Sequence, residues 1–548
     1  MKKIKQNNKF KIILLALIAI LGFYSFLHLQ STPIRQVNAE TGDIQVVGGT
    51  LGEDYTYDNG VLRFIKDGNY TLSMKPGVNE TSDRIELDHN STMQNIIFTL
   101  DNISINSTSS CFTVDPAHMP SSESEVNIEF KLKGKNTFKA DSTTYNNMIT
   151  SANLKISALN GNDSIEFIAK NNEGSLNNRS FTLESGTVTT QKTNITTGKG
   201  YITVNGGNLT VNSTDGAGAL YTNTGFQMTG GKVTANSTSS LCIFVPGVAS
   251  TEGYGVKITG GDFTCNATGT GSSGAFTIGQ RVNKHVLIDT TGTVTINHKM
   301  FGIVLMSNSN FTINNGTLKI NGQAYGIYSA GNGKISVNGG ETEVTAQAGA
   351  AIRNNGSDKA IHIDPNYTHK SYHGDTEEGR EYMADDSTLM NPSNGATKKY
   401  ILITPAYPIN YELDGGNLAD DSANPTSYSR VDSFKLNNPV KEGYDFIGWT
   451  GTDLNSATQE VSITEGSKGA RSYKANWHDP NAKDDEEPSK DENDYRVLPA
   501  KDDDNGINNN IKSPNTYDSN PLFYIAIVGG SILILVAAFI QGKELIKR

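Results

Sequence analysis

From Phe181 onward the chain repeats one pattern: a short alternating apolar stretch, a glycine-bearing turn, then a second alternating stretch. Phe226-Gln-Met228 leads through Gly230-Gly231 to Val233-Thr-Ala235, and Val256-Lys-Ile258 leads through Gly260-Gly261 to Phe263-Thr-Cys265. Phe311-Thr-Ile313 and Ile335-Ser-Val337 open two further copies. The second turn residue is Gly186, Gly207, Gly231, Gly261, Gly292, Gly316 and Gly340, at spacings of 21, 24, 30, 31, 24 and 24 residues. A repeat of this length built only of strands and turns is a solenoid. Alternation gives each strand one buried face, and glycine supplies turn angles that other residues resist. Four residues past each glycine from 207 to 340 stand Val211, Ala235, Cys265, Ile296, Ile320 and Val344, all apolar. Stacked coils would place them in one internal column. A third strand follows, as in Gly302-Ile303-Val304-Leu305 and Tyr325-Gly326-Ile327-Tyr328. The pattern predicts an all-β chain built on a right-handed parallel β-helix, with regular coils and a cap over 181–405. Less regular coils are expected over 40–180, where 83–87, 96–100 and 126–132 alternate.

Composition agrees. The chain has 548 residues, enough for several domains, with 55 glycines and only two tryptophans. Such usage favours short strands and turns over a large helical core. The net charge is −11, but residues 478–520 hold twelve acids against five bases, a local net of −7. The remainder is mildly acidic, so no nucleic-acid partner is expected. The acid-rich stretch has almost no apolar residues and cannot bury enough surface to fold. A disordered acidic stalk is therefore expected over 479–520. Cys111, Cys242 and Cys265 read first as small apolar core residues, with a Cys242–Cys265 bridge as the alternative.

The ends suggest an address. Lys2, Lys3, Lys5, Lys9 and Lys11 precede an apolar run from Ile12 to Leu27, and Val37-Asn38-Ala39 offers small residues at a cleavage site. This reads as a signal peptide over 1–39, cut after Ala39; an uncleaved anchor is the alternative. A second apolar run, Leu522 to Ile540, is long enough for a transmembrane helix within 521–548. Lys543, Lys547 and Arg548 beyond it would hold that end in the cytoplasm. The chain between is expected on the extracellular side of a bacterial cell surface.

Three stretches resemble known families. Gly48-Gly49-Thr50, Asp54-Tyr55-Thr56-Tyr57, Thr81-Ser-Asp-Arg-Ile85 and Leu132-Lys-Gly-Lys-Asn-Thr137 are similar to the opening of a family of Gram-positive surface β-helix proteins with carbohydrate-binding-like domains. That resemblance spans about 44–175 and implies a surface role without catalytic residues. Residues 406–478 carry Ile409-Asn-Tyr411-Glu-Leu413-Asp-Gly415-Gly416-Asn417, Gly443-Tyr444-Asp-Phe446-Ile-Gly448-Trp449 and Tyr473-Lys-Ala475-Asn-Trp477. They resemble the repeat first noted in Listeria and Bacteroides surface proteins, which implies a small β-grasp-like spacer or adhesive domain. A domain this small needs large aromatics inside. Tyr444, Phe446, Trp449, Tyr473 and Trp477 are accordingly read as core, with a sugar-stacking platform as the alternative. Finally, Ser513, Pro514, Asn515, Thr516 and Tyr517 resemble a degenerate sortase motif, with Tyr517 where that family has glycine and Ser513 where it has leucine or asparagine. The resemblance implies a sortase cutting after Thr516 and attachment to cell-wall peptidoglycan; a plain membrane anchor is the alternative.

Candidate chemistry is sparse. Asn212-Ser-Thr-Asp215-Gly216 resembles a polygalacturonase strand, but the accompanying paired aspartate, Gly-His-Gly and Arg-x-Lys are missing. Glycoside hydrolysis needs two flanking carboxylates, and the regular coils are poor in acids. His362, His369 and His373 with Asp364 and Asp375 are the densest metal-like set, but zinc binding through His369 and His373 would need a helix; a capping loop is the plainer reading. The expectation is a protein without catalytic, metal or cofactor residues. Three functions compete: an adhesin binding glycans or neighbouring surfaces, a structural spacer, and a β-helix lyase or hydrolase. Exposed aromatic columns would favour binding, with Tyr201, Tyr221, Tyr325 and Tyr328 as candidates.

Overall fold

The computed structural model describes residues 42–482 except 89–94, 115–125, 141–145, 151, 171–173, 215, 217, 248–252, 282, 356–360, 385–397 and 419–422. Ala39, residues 483–520 of the acidic stretch with Ser513 to Tyr517, and the run from Leu522 to Ile540 lie outside them. The described residues are all-β and form a β-solenoid of about ten turns. Each regular coil has three strands, as in Ile202–Val204, Asn208–Ser213 and Leu220–Thr222. Each strand pairs in parallel with its equivalent one coil on, and the stack runs through residue 180 without a break.

The register reproduces the expected column. Val211 pairs with Ala235, Ala235 with Cys265, Cys265 with Ile296, Ile296 with Ile320 and Ile320 with Val344. All six side chains are buried. Towards the N-terminus phenylalanines take over the core. Phe98, Phe112, Phe130, Phe138 and Phe167 meet edge to face in sequence, with centroids 5.7, 5.3, 6.2 and 5.7 Å apart, a preferred aromatic geometry.

The corner glycines answer two demands. Gly231 and Gly261 both have φ of +78°, a region costly for other residues. A Cβ on Gly261 would also strike the carbonyl oxygen of Gly231, and one on Gly231 that of Gly207. Gly292 departs from the pattern: strand Lys284–His298 runs through this corner without a left-handed residue. There Thr290 Oγ1 donates to the Gly261 carbonyl at 3.0 Å and Asp262 Oδ1 accepts the Thr293 N–H at 2.8 Å. On the outer side of the second face, one residue past the buried column, Asn212, Asn236, Asn266, Asn297 and Asn321 form a ladder. Each amide donates to the preceding one at 2.8 Å, a stacking known from other in-register β structures.

The cysteines correct the first expectation. Cys242 and Cys265 are joined in a disulfide with Cα atoms 6.0 Å apart, and Cys111 is free and buried. Ala235 stands in the same coil as Cys242 and in register with Cys265. Its small side chain leaves room for the bridge, and Cys242 Sγ lies 3.4 Å from the Ala235 carbonyl oxygen.

Both ends of the stack are closed by antiparallel strands. Ile44–Val47 pairs with Gly68–Met74, and Tyr400–Pro405 pairs with Glu341–Ala346. Such covers protect open rungs from further pairing. The expected capping loop is in fact strand His369–Gly374, antiparallel to both Tyr400–Pro405 and Glu381–Met383. Beyond it the 406–478 segment has its own core of Ile409, Tyr428, Leu436, Trp449, Val461, Ile463, Tyr473 and Ala475. Strands Tyr407–Glu412 and Arg471–His478 pair in parallel there, flanked by antiparallel neighbours. Trp449 and Tyr473 are buried as expected; Phe446 and Trp477 are half-buried. Tyr444 is not core: it sits on a turn, 40% exposed, with Lys441 Nζ 4.2 Å from its ring centroid.

Candidate functional site

Two adjoining depressions, of 430 and 320 Å³, form a trough on the outer side of the first solenoid face. Its position follows from register. Asn95, Asn127, Asn153 and Ser180 open successive strands and stack directly above one another, and Tyr201 follows one coil on. Two residues along each strand, Ile97, Glu129, Lys155, Thr182 and Thr203 form the parallel outer column. The trough thus spans five coils. Gly200 keeps its floor open, because a Cβ there would strike the Ser180 side chain. The Tyr201 ring rests over Gly225, another position without a side chain.

The first column is internally hydrogen-bonded. Asn127 donates to Asn95 at 2.9 Å, Asn153 to Asn127 at 3.0 Å and Ser180 Oγ to Asn153 at 2.8 Å. A side-chain amide offers two N–H groups and two lone pairs. The ladder uses one of each on Asn127 and Asn153, so both can still donate to and accept from a ligand. Arg179, Lys199 and Lys155 are the lining cations. Glu129 is the carboxylate lining the trough, and it accepts from Ser157 Oγ at 3.1 Å and pairs with Lys155 at 3.3 Å. The arrangement can hold hydroxyl-rich or charged chains; among the described residues it does not set two carboxylates across a bond, as glycoside hydrolysis requires.

Of the four tyrosine candidates, Tyr201 alone lines this trough. Tyr221 lies on the third face edge to face with Phe244, centroids 5.4 Å apart. Tyr325 stacks on Phe301 at 5.6 Å and on Tyr328 at 5.6 Å, while Arg353 covers it at 5.3 Å and donates to its hydroxyl at 2.6 Å. These rings spend their faces on one another, so they make a ladder rather than an open stacking surface. The histidines do not converge either. His369 and His373 share one strand, His369 Nδ1 lies 2.6 Å from the Tyr367 carbonyl oxygen, and no cluster able to hold a metal exists among the described residues. Asn212 belongs to the asparagine ladder, and Asp215 lies outside the described residues.

Sequence reasoning missed the trough and one buried histidine. His298 accepts the Met300 N–H at Nδ1 and bonds the Ser240 carbonyl through Nε2, both at 2.6 Å. Burial pushes its pKa below the usual histidine value despite the Ser240 bond, which fits a neutral, structural ring. The signal for the trough was present, as asparagine or serine recurs at 95, 127, 153 and 180. It was hidden because those spacings differ.

No family model, no curated protein and no solved structure matches this chain.

Proposed function

We propose that this is an adhesin-like protein of the bacterial cell surface whose solenoid binds saccharide chains along the five-coil trough. The observation that carries the reading is the trough itself: a row of amide and hydroxyl groups in register, with Tyr201 offering an apolar surface at one end. Extended ligands suit such a site because each coil adds equivalent hydrogen-bonding groups. The Cys242–Cys265 bridge supports an oxidising, extracellular setting. The 406–478 segment, read as a β-grasp-like member of the Listeria and Bacteroides repeat family, serves as a spacer next to the stalk. A glycan array probed with the full-length chain in mild detergent tests this; the expected result is selective capture of linear saccharides that R179A+Y201A abolishes. The spacer reading is favoured by the self-stacked rings of Phe301, Tyr325 and Tyr328, and it predicts that no saccharide is retained.

Attachment is part of the proposal. The apolar run Leu522 to Ile540 would hold the chain in the membrane while Pro514, which disfavours helix in the preceding residue, presents Thr516 to a sortase. The thiolate would attack the Thr516 carbonyl, release Tyr517 onward, and pass the acyl group to a peptidoglycan amine. Mass spectrometry of wall digests is expected to find a peptide ending at Thr516 joined to that amine. Intact protein ending at Arg548 and extracted by detergent alone would leave the simple membrane anchor.

A further inference from the structure

We propose that the trough is one end of a longer track, on which a β-1,4-linked pyranose chain lies along the solenoid axis with Tyr201 and Tyr254 as its two stacking rings; this rests on reading the trough as a saccharide site. The column that opens the first-face strands does not end at Tyr201. Ile202 pairs with Phe226 and Phe226 with Val256, so the column passes to Gly225 and on to strand Gly253–Ile258. There the register shifts. Tyr254 pairs with His285 and Val256 with Val286, which leaves Gly255 as an extra residue. A bulge of this kind re-aims a side chain. Strict alternation would turn Tyr254 inward, because it stands two residues before the buried Val256. With the extra residue it points outward and is 40% exposed. Gly255 is buried in its place, where a Cβ would strike Ile278 Cγ2 at 2.8 Å. The bulge thus gives up a side chain at one position and brings an aromatic ring to the surface at its neighbour.

The spacing selects the ligand. Successive coils lie about 4.8 Å apart, close to the advance of one sugar in an extended β-1,4 chain. Such a chain turns over at every linkage, so it shows the same ring face to one side at every second sugar. Tyr201 and Tyr254 stand two coils apart, which matches that alternation. Gly225 between them has no side chain, and a Cβ there would come within 3.0 Å of Tyr201 Cε1. The intervening sugar therefore passes without obstruction. The Tyr254 ring is braced by Lys257, whose Nζ is 5.6 Å from its centroid, and by the edge-to-face ring of His285 at 6.5 Å. Behind Tyr201, the amides of Asn127 and Asn153 meet the sugar hydroxyls. Asn127, Asn153, Ser180, Tyr201, Gly225 and Tyr254 open six successive coils, room for six sugars. An α-1,4 chain of the same sugar coils away from a straight track and meets one of the two rings at most.

Calorimetric titration of the full-length chain in mild detergent tests this with cellohexaose, chitohexaose and maltohexaose. The better bound of the two β-1,4 hexaoses should exceed maltohexaose by about fivefold or more, the effect of burying one further apolar ring face. Which of the two it is distinguishes a 2-hydroxyl chain from a 2-acetamido chain. Tyr254→Ala should lose that advantage without changing thermal unfolding. Tyr254→Phe should keep it, because the ring and not the hydroxyl does the stacking. Equal affinity for the β- and α-linked hexaoses overturns the track and leaves saccharide binding in the trough standing. Undiminished β-1,4 binding by Tyr254→Ala has the same meaning. Absence of any saccharide binding removes both.

Discussion

Gly261→Ala is expected to destabilise the solenoid by about 4 kcal/mol, because a left-handed backbone and a backbone collision add at one position. The φ of +78° supplies the first contribution. The second arises because a methyl group would press on the Gly231 carbonyl oxygen, with Met228 Cε 2.6 Å away on another side. That oxygen cannot simply retreat, since it accepts the Asp262 N–H at 3.0 Å and so holds the two coils together. Gly52→Ala separates the two effects. Its φ is +86° but nothing lies within 4 Å of the added methyl, so it should lose only about 1–2 kcal/mol. Urea unfolding followed by circular dichroism measures both. Similar losses for the two variants would mean that the stacked corners yield, and the tight approach of successive coils would carry no stability. Because coils contact only their neighbours, the Gly261 variant should loosen the flanking coils more than the N-terminal phenylalanine core.

Much of the solenoid could be read from sequence because its period is enforced at every coil. Val211 to Val344 stay apolar since each faces the same interior, and Gly186 to Gly340 recur since each corner meets the one beneath it. What escaped depends on neighbours that the period does not encode. The Cys242–Cys265 bridge joins the entry to the third strand of one coil with the second strand of the next, a proximity set by where the chain turns corners. The trough needed the register of coils with unequal lengths. Tyr325 and Tyr328 were recognisable as outward residues, but only the side-chain packing shows their faces covered. Tyr444 was assigned to a core on the argument that a small domain needs its aromatics inside; Trp449, Tyr473 and the half-buried Phe446 and Trp477 already meet that need. The junction between solenoid and module left no sequence signal at all, since its residues fall on a turn without periodicity.

That junction carries the second large effect. The turn at Ser429 to Asp432 inserts into the cap: Val431 is buried with Tyr372, Tyr400 and Leu402. Arg430 bridges Glu341 at 2.6 Å and Glu343 at 3.0 Å, with all three side chains at most 17% exposed. Asp432 accepts from Lys370 at 2.8 Å and from the Tyr372 hydroxyl at 2.6 Å. Removing one member of a nearly buried ion pair strands the others, so Arg430→Met should cost about 3 kcal/mol. Both tryptophans lie in the module, so their fluorescence follows it, while circular dichroism follows mainly the solenoid. The variant should lower the urea midpoint seen by fluorescence more than that seen by circular dichroism. Adding Glu341→Gln and Glu343→Gln should restore part of the loss, because the unpaired charges go with their partner. Acid should act on the same contact. Burial opposes ionisation of Asp432, but Lys370, the Tyr372 hydroxyl and the Ser429 N–H outweigh it and hold its pKa below the usual carboxylate value. A depressed carboxylate contributes its full stability above the unfolded value, about pH 4. The contribution disappears as pH falls through the lower folded value, so the fluorescence midpoint should drop below pH 4 and Asp432→Asn should flatten that drop. Unchanged midpoints in Arg430→Met would mean that the module hangs from the cap by its chain connection, and the solenoid would then end without a rigid extension.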